Sequence, residues 1–299
     1  MSAEPQPAEL PLAGGIAGAT VRLHPLLAGE MRSPPGFLER PSGPLSTLRG
    51  LQFGRQNDSW VWLPIPAFLV EHPGAGPVLV DTGFHPSVSF DPRDNFGGVA
   101  GRLNSFRMEP EQSLHPQLRA RGVDPADVAV MVMTHLHTDH ASGVPEFPHA
   151  TFVLDGREWD SATGSRGLLR GYRRQQFDYA FDWRLVDFDA PEVNSFATFG
   201  QALDLFGDGS VRLLSTPGHT AGHMSVLLRL RDREVLLTGD AAYEARSLSG
   251  DVMPLFITDG HYFRRSLGEI RRYAEQTPDA LLIHGHDREQ WPRLQPVYE

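Results

Sequence analysis

The chain contains 299 residues, of which 40% are hydrophobic and 21% are charged, a composition typical of a globular protein with one large domain or two small ones. The formal net charge of -10 disfavours a nucleic-acid partner, because phosphate backbones are bound by concentrated basic surfaces. The absence of cysteine excludes disulfides, thiolate metal sites and cysteine nucleophiles.

The first twenty residues, MSAEPQPAELPLAGGIAGAT, carry acidic residues and prolines before any apolar run, and they lack a basic cluster. This pattern is typical of a flexible leader and not of a secretory signal peptide, so we expect a cytoplasmic protein. No run approaches the roughly 18 apolar residues that a membrane-spanning helix requires, so we expect no membrane partner. Since no convincing linker follows, residues 21–299 are predicted to form a single domain.

The first part of the chain predicts strands separated by loops. The stretch TVRLHPLLAG alternates well enough for a first strand, and Met31–Pro44, rich in Pro, Gly and Ser, predicts a loop. Two apolar runs, Ala67–Glu71 and Pro77–Val80, flank the turn HPGAG and predict a β-hairpin. The polar stretch Phe84–Arg107 has no clear period and is long enough for a functional loop.

The middle of the chain adds helices. A helix is predicted from about Pro110 to Gly122, and the buried strand Val128–Met133 follows it. A short strand is predicted at Ala150–Asp155. The next segment, Gly156–Asp182, is predicted to be largely helical, with its arginines on a solvated face.

The last part alternates apolar runs with one clear helix. Strands are predicted at Ser210–Thr216, Met224–Leu230, Glu234–Asp240 and Asp279–Asp287. One helix face is predicted from Phe263, Leu267, Ile270 and Ala274. Many short strands with interspersed helices predict layered sheets with helices packed outside them.

A cluster of histidines follows the strand Val128–Met133 directly. The motif HLHTDH places His135, His137, Asp139 and His140 within six positions. Imidazoles are poor core fillers, and the end of a buried strand is a place where a fold can fix the geometry of ligands. We therefore predict that this cluster binds metal.

Further potential ligands lie at the ends of other apolar strands. They are Asp81, His219, His223, Asp240, His284, His286 and Asp287. Oxygen and nitrogen ligands without sulfur favour a hydrolytic zinc-type centre, and two metals need roughly six to eight protein ligands. Other histidines, such as His24 and His72, stand next to prolines and are expected at the surface.

Five motifs in order, VLVDTG, HLHTDH, PGHTAGH, TGDAAY and HGHD, resemble those of the metallo-β-lactamase superfamily. Within it, Tyr243, placed three residues after Asp240, and the terminal GHDREQ are most similar to the N-acyl-homoserine lactonases, the quorum-quenching enzymes. The resemblance implies an α+β fold, the four-layer αββα sandwich, with a dinuclear metal site at the edge of the sheets. Residues 21–299 would then form one hydrolase domain of this kind.

The resemblance also implies a role for each motif residue. The ligands it implies are His135, His137 and His219 for a first metal, Asp139, His140 and His286 for a second, and Asp240 bridging both. Either of His284 and His286 could face the site, and the place of His286 in HGHD favours it. His223 and His284 are expected behind the ligands. Asp81 matches a position that orients a ligand histidine, although it could equally cap the turn DTG.

The function implied is metal-dependent opening of the lactone ring of N-acyl-homoserine lactones, or of related lactones, by a hydroxide that bridges the metals. Tyr243 would donate a hydrogen bond to the oxygen that gains charge, and Asp139 would carry a proton to the leaving alkoxide. The expected cofactors are two divalent ions, zinc first, with iron, cobalt and manganese as alternatives. The expected partners are a small lactone or ester substrate and a second copy of the chain in a homodimer.

Other functions remain open at this point. The same scaffold could hydrolyse other esters, thioesters or organophosphates, and a metal-dependent binding protein without catalysis is a further alternative. Thr138 stands where an aromatic residue is common in the lactonases, which leaves the preferred acyl chain open. Trp60, Trp62 and Phe96 could line an apolar pocket, and core packing explains them equally well.

Overall fold

Two β-sheets stacked face to face form the centre of the protein. The computed structural model describes residues 2–52, 58–97, 105–191, 193–250 and 252–299, apart from the side chain of Asp94. Part of the loop predicted at Phe84–Arg107, residues 98–104, therefore lies outside the described residues.

The first sheet is mixed and contains eight strands in the described residues, in the order β1-β8-β7-β6-β4-β3-β2-β5. They are β1 (Gln6–Pro7), β2 (Arg22–Ser33), β3 (Val61–His72), β4 (Gly76–Val80), β5 (Ser105–Arg107), β6 (Val130–Val132), β7 (Thr151–Asp155) and β8 (Asp182–Val186). β3 and β4 form the predicted antiparallel hairpin. β4, β6, β7 and β8 run parallel to one another, so their carboxyl ends meet at one edge.

The second sheet has the order β14-β13-β12-β11-β10-β9. Its strands are β9 (Asn194–Phe196), β10 (Phe199–Asp204), β11 (Val211–Ser215), β12 (Met224–Arg229), β13 (Glu234–Leu237) and β14 (Leu281–Ile283). Neighbours are antiparallel except β13 and β14, which are parallel. The strands predicted from apolar runs in this region are therefore confirmed.

The alternation of side chains along each strand divides the core into layers. On β6, Val130 and Val132 face the second sheet, whereas Met131 faces the outer helices. On β11, Leu213 faces the first sheet and Leu214 faces outward. Because both faces of β6 are covered, its sequence VMV is a continuous apolar run and not an alternating one.

Helices cover the outer face of each sheet. In the described residues they are α1 (Ser46–Leu51), α2 (Pro92–Phe96), α3 (Leu114–Arg119), α4 (Thr138–Ala141), α5 (Gly156–Thr163) and α6 (Gly260–Gln276). α3, α4 and α5 pack on the first sheet, and α6 packs on the second. The α+β fold and its four-layer αββα sandwich are thus confirmed.

Helix α6 forms as the sequence predicts. Asp259 caps its first turn by accepting from the backbone N–H groups of His261 and Tyr262. Phe263, Leu267 and Ile270 are buried against the second sheet. With 17 residues it is the longest helix described, and none of the described helices is long and apolar enough to cross a bilayer.

Two predicted helices are shorter than expected. The segment from Pro110 begins with a 3-10 turn, Pro110–Gln112, before α3. The prediction of a largely helical Gly156–Asp182 is wrong, because α5 ends at Thr163 and only 3-10 turns follow it. Glycines interrupt this segment, and Gly171 adopts a φ of 96°, a left-handed conformation incompatible with a continuing helix.

The first twenty residues differ from the flexible leader that the sequence predicts. β1 pairs parallel with β8, and the backbone N–H groups of Ala8 and Leu12 donate to carbonyls of the sandwich. Ala8, Leu10 and Leu12 pack against the core between the sheets. The apolar residues at every second position therefore attach this segment to the domain.

Asp208 links this N-terminal segment to the sandwich. Its carboxylate accepts from the backbone N–H of Ile16 at 2.8 Å, from that of Ser210 at 2.9 Å and from Nε2 of His72 at 3.0 Å. His72 and His24 are both buried, so the surface positions expected for them are wrong. Burial by itself would raise the pKa of Asp208, but hydrogen bonds from Ser210, Ile16 and His72 outweigh it and lower the pKa to about 2.

We predict that Asp208→Asn lowers the free energy of unfolding by about 1–3 kcal/mol near neutral pH, because hydrogen bonds to a charged acceptor are lost. A carboxyl group whose pKa is depressed on folding contributes stability above its unfolded pKa, and this stability is lost as the pH falls through the folded value. The difference in the free energy of unfolding between wild type and Asp208→Asn should therefore become smaller as the pH falls from about 5 to about 2. Urea unfolding across this range measures it. Asp279→Asn, which replaces an exposed aspartate, is the control; a pH-independent difference between wild type and Asp208→Asn would contradict the assignment.

Candidate metal centre

The predicted ligands converge at one edge of the two sheets. Five loops contribute, and they follow β4, β6, β11, β13 and β14. The parallel pairs β4–β6 and β13–β14 bring carboxyl ends to the same edge, so residues far apart in sequence become neighbours. Rigid, buried strands thus fix the position of each loop.

Three imidazoles form the first group. Nε2 of His219 lies 3.2 Å from Nε2 of His135 and 2.9 Å from Nδ1 of His137. These three nitrogens all lie within 4.8 Å of one another. Such a separation leaves room for one small cation between them.

The outer ring nitrogens of this group are held by oxygen atoms. The contacts are His135 Nδ1 to Thr134 Oγ1 at 3.1 Å, His137 Nε2 to Arg170 O at 2.9 Å and His219 Nδ1 to Phe256 O at 3.1 Å. A carbonyl oxygen only accepts, so the outer nitrogens of His137 and His219 carry the hydrogen. The inner nitrogens then direct lone pairs at one another, a repulsion that a bound cation would relieve.

A second group lies beside the first. Nε2 of His140 and Nε2 of His286 are each 3.3 Å from Oδ1 of Asp240, and Nε2 of His286 is 3.5 Å from Oδ2 of Asp139. Nδ1 of His286 donates to the carbonyl of Pro64 at 2.9 Å. Within the described part of the chain, His140 Nε2, His286 Nε2 and Asp240 Oδ1 are buried without a hydrogen-bond partner. Three unpartnered buried ligand atoms facing one another fit a second cation.

Asp240 lies between the two groups. Its Oδ2 is 3.3 Å from Nε2 of His219, whereas Oδ1 faces the second group. The backbone N–H of Asp240 donates to Nε2 of His223 at 2.9 Å, and the other ring nitrogen of His223 contacts Oγ1 of Thr216 at 2.9 Å. Both nitrogens of His223 are therefore engaged within the protein, and this histidine positions Asp240.

Asp81 orients the second group. Its carboxylate accepts from Nδ1 of His140 at 2.7 Å and from both the backbone N–H and the hydroxyl of Thr134, at 2.8 and 2.7 Å. The φ of Asp81 is 57°, a strained conformation for a residue other than glycine. Three strong hydrogen bonds stabilise this conformation, and the hydroxyl of Thr134 extends the support to His135.

The electrostatics of the first imidazole group and of Asp240 favour the protonation states that metal ligands adopt. Burial holds the pKa of His135 and of His219 well below its ordinary value, so both imidazoles are neutral. Burial alone would raise the pKa of Asp240, but His286 and His140 outweigh it and hold that pKa well below its usual range. Neutral imidazoles and an ionised carboxylate are the forms that bind metals.

Tyr243 is buried beside the first group. Its side chain stacks on Phe37 with ring centroids 5.6 Å apart, and its hydroxyl oxygen lies 3.1 Å from Nδ1 of His219. Burial, and then the charge of Asp240, raise the pKa of Tyr243 well above its ordinary value. The phenol therefore keeps its proton and can donate a hydrogen bond.

A cavity of about 580 Å³ opens above the cluster. Its floor is polar and is formed by His137, Asp139, His219, Asp240 and Tyr243. Its wall is largely apolar and includes Met31, Phe37, Leu168, Leu169, Leu255, Phe256 and Ile257. Thr138 also lines the cavity. The arrangement suits a small polar head group that carries an apolar tail.

The predicted aromatic pocket residues lie elsewhere. Trp60 is buried and donates from Nε1 to Gln52, and the guanidinium of Arg107 lies 4.4 Å above the ring of Trp62. Phe96 stacks on Phe106 with centroids 4.1 Å apart. None of the three predicted residues lines the cavity, so the core-packing alternative describes Phe96 and Trp60 better.

His284 is buried near the cluster but belongs to neither group formed by the described residues. Burial lowers its pKa to about 4. Between His284 and His286, Gly285 has no space for a side chain, because a Cβ there would lie 2.7 Å from Oδ1 of Asp240. The glycine of HGHD thus lets the chain approach the bridging carboxylate closely.

Sequence reasoning missed Glu158 on α5. Its Oε1 accepts from the backbone N–H of Leu136 at 3.0 Å, and its Oε2 accepts from that of Gly222 at 3.2 Å. The surrounding letters GREWD give no signal, because a buried glutamate and a solvated one look alike on a short amphipathic helix.

Comparisons with known proteins identify the family of this chain. A model of the metallo-beta-lactamase superfamily matches residues 60–286. N-acyl homoserine lactonase AttM of Rhizobium radiobacter is 32% identical over 255 residues, covering 84% of this chain and 92% of that protein. The protein of the same name from Azorhizobium caulinodans is 33% identical over 248 residues, covering 82% and 90%.

A solved structure shares the fold. An N-acyl homoserine lactone hydrolase with the product N-hexanoyl-L-homoserine bound at its catalytic metal centre superposes with a TM-score of 0.73 and 22% sequence identity. The superposition covers 92% of this chain and 97% of that chain. From the family match and the relatives above 30% identity, this chain belongs to the metallo-β-lactamase superfamily.

Proposed function

We propose that this protein is a metal-dependent lactonase that opens the ring of N-acyl-homoserine lactones or related lactones. The observation that carries the proposal is the phenol of Tyr243 beside the imidazole and carboxylate cluster, at the floor of a cavity with apolar walls. The relatives that are 32% and 33% identical carry the name of this activity.

The residues present fit two divalent ions. His135, His137 and His219 would hold one, Asp139, His140 and His286 the other, and Asp240 would contact both. Nitrogen and oxygen donors without sulfur favour zinc, with iron, cobalt and manganese as alternatives. When bound, the ions would supply an activated water and polarise the substrate carbonyl.

The remaining chemistry falls to side chains of the chain itself. In hydrolysis, the oxygen of water bonds to the carbonyl carbon, the bond from that carbon to the ring oxygen breaks, and the ring oxygen takes up a proton. Tyr243 would donate a hydrogen bond to the oxygen that gains charge, a contribution of about 2–4 kcal/mol. Asp139, whose side chain is 13% exposed at the cavity floor, would take up the proton that the attacking water loses and pass it to the ring oxygen.

Removal of metal should abolish activity. We expect the purified protein to carry about two equivalents of zinc, and we expect dialysis against a chelator to remove both metal and lactone hydrolysis reversibly. His286→Ala should lose about one equivalent, because it removes a ligand from one group only. His149→Ala, an exposed histidine, is the matched control. Elemental analysis measures the metal content. Hydrolysis of a panel of a γ-lactone, an aryl ester and a phosphotriester measures the activity and its substrate preference. Full lactonase activity after complete metal loss would contradict the proposal, and a preference for the ester or phosphotriester would point to the alternative hydrolases.

Tyr243→Phe removes one hydroxyl and keeps the ring that packs on Phe37. We expect kcat/KM for the lactone to fall about 30- to 1000-fold, the equivalent of 2–4 kcal/mol, with metal content unchanged. Tyr262→Phe, on the exposed side of α6, should behave as wild type. Unchanged turnover by Tyr243→Phe would show that its phenol has no role in the reaction.

The apolar wall should recognise the acyl chain. Leu169 lines the cavity with a side chain 87% exposed, so it is free to contact a substrate tail. We expect Leu169→Glu to raise KM for a decanoyl lactone several-fold and for a butanoyl lactone by less than about twofold, since each buried methylene contributes about 0.8 kcal/mol. Leu48→Glu, also exposed but outside the cavity, is the control. Equal effects on both substrates would place the acyl chain elsewhere.

A further inference from the structure

Glu158 is a fully buried carboxylate directly behind the first imidazole group. It lies in the first turn of α5 and has no solvent exposure. Its two oxygens engage two different loops, through the N–H groups of Leu136 and Gly222. Because Leu136 separates His135 from His137, and Gly222 lies in the loop from His219 to His223, this one carboxylate joins the loops that supply all three imidazoles.

The backbone is shaped to bring these loops against the helix. A Cβ at Gly222 would lie 2.3 Å from the backbone nitrogen of Glu158 and 2.7 Å from its Cβ. Only a glycine therefore permits this contact, and its position in PGHTAGH is tied to the helix that carries Glu158. This close packing is an observation separate from the hydrogen bonds, and it likewise pairs the loop of Gly222 with the helix of Glu158.

The surroundings of the carboxylate are polar, but among the described residues they contain no paired cation. No arginine or histidine in those ranges forms an ion pair with Glu158, and the hydrogen bonds that it accepts from Leu136 and Gly222 come from backbone N–H groups. Tyr172 lies beside it, and burial followed by the charge of Glu158 raises the pKa of that phenol. The ring of Tyr172 packs on His137 with centroids 5.0 Å apart. A buried carboxylate that has hydrogen bonds but no paired cation is costly, and a cation held by the adjacent imidazoles would offset that cost.

We propose that Glu158 is a positioning residue of the metal centre, which fixes the separation of the two ligand loops and supplies negative charge behind the His135, His137 and His219 group. This inference rests on the proposed metal-dependent function. It predicts that metal affinity at this group depends on Glu158, although the side chain touches neither metal nor substrate. Substitution of groups that orient metal ligands typically costs 10- to 100-fold in metal affinity.

The test is Glu158→Gln, which keeps the size of the side chain. Its amide offers one acceptor oxygen, and its NH₂ group would face one of the two N–H donors. We expect one of the two bound zinc ions to be released at about 10- to 100-fold lower chelator concentration than in wild type, with the other ion retained. Asp160→Asn, which removes an exposed charge from the same helix, should bind zinc as wild type does.

A second measurement separates positioning from a general structural role. The increase in Tm that zinc produces should shrink in Glu158→Gln and, to a smaller extent, in Glu158→Asp, which keeps the charge but shortens the reach. Loss of stability that is equal with and without zinc, or wild-type chelator resistance in Glu158→Gln, would overturn the inference. If wild type itself binds no metal, the proposed function fails; if wild type binds two zinc ions and hydrolyses lactones while Glu158→Gln is unaffected, only this inference fails.

Discussion

The oxygen acceptors behind the imidazoles determine what the rest of the site can do. Each outer ring nitrogen is held by an oxygen, so each inner nitrogen has a fixed direction. Three of these acceptors are main-chain carbonyls, at Pro64, Arg170 and Phe256, and they belong to separate elements. The arrangement of ligands therefore depends on the whole sandwich and not on the histidine motifs alone.

The sequence predicted those features whose motif or pattern is compatible with a single structural interpretation. HLHTDH follows a buried strand, a place where a fold can fix ligand geometry, so the strand pattern predicted a metal-binding cluster there. The αββα sandwich and the role of each ligand were implied by the resemblance of the five ordered motifs to the metallo-β-lactamase superfamily. Phe96 and Trp60 could not be assigned, because an aromatic ring fits a core and a pocket equally well. His72 is buried by a partner 136 residues away, and Gly156–Asp182 leaves its helix at glycines whose effect depends on packing. The buried position of Glu158 could not be predicted for the same reason, since its partners are backbone groups of distant loops.

The wall of the cavity and its floor are mechanically connected. The turn Leu168–Arg170 presents two leucines to the cavity, while the carbonyl of Arg170 accepts from His137 at the floor. The guanidinium of Arg170 donates to Ser161 on α5, so the same residue is attached to the helix of Glu158. A change in this turn would therefore affect both the contact with substrate and the orientation of His137. Substitutions in the turn could alter substrate specificity only as far as the geometry of the metal centre allows.

Charge balance supports the number of ions in the proposal. Four carboxylates surround the cluster, those of Asp81, Asp139, Asp240 and Glu158. When all four are ionised and the imidazoles are neutral, the site carries four negative charges in a largely buried region. Buried charges persist only when they are paired or bound to metal. Two divalent cations would provide four positive charges, so the pair of ions that the donor atoms can accommodate would also neutralise the site. Without them the neighbouring carboxylates, Asp240 first, outweigh burial and raise the pKa of His140 and of His286, so that protons on these two imidazoles take the place of the missing positive charge.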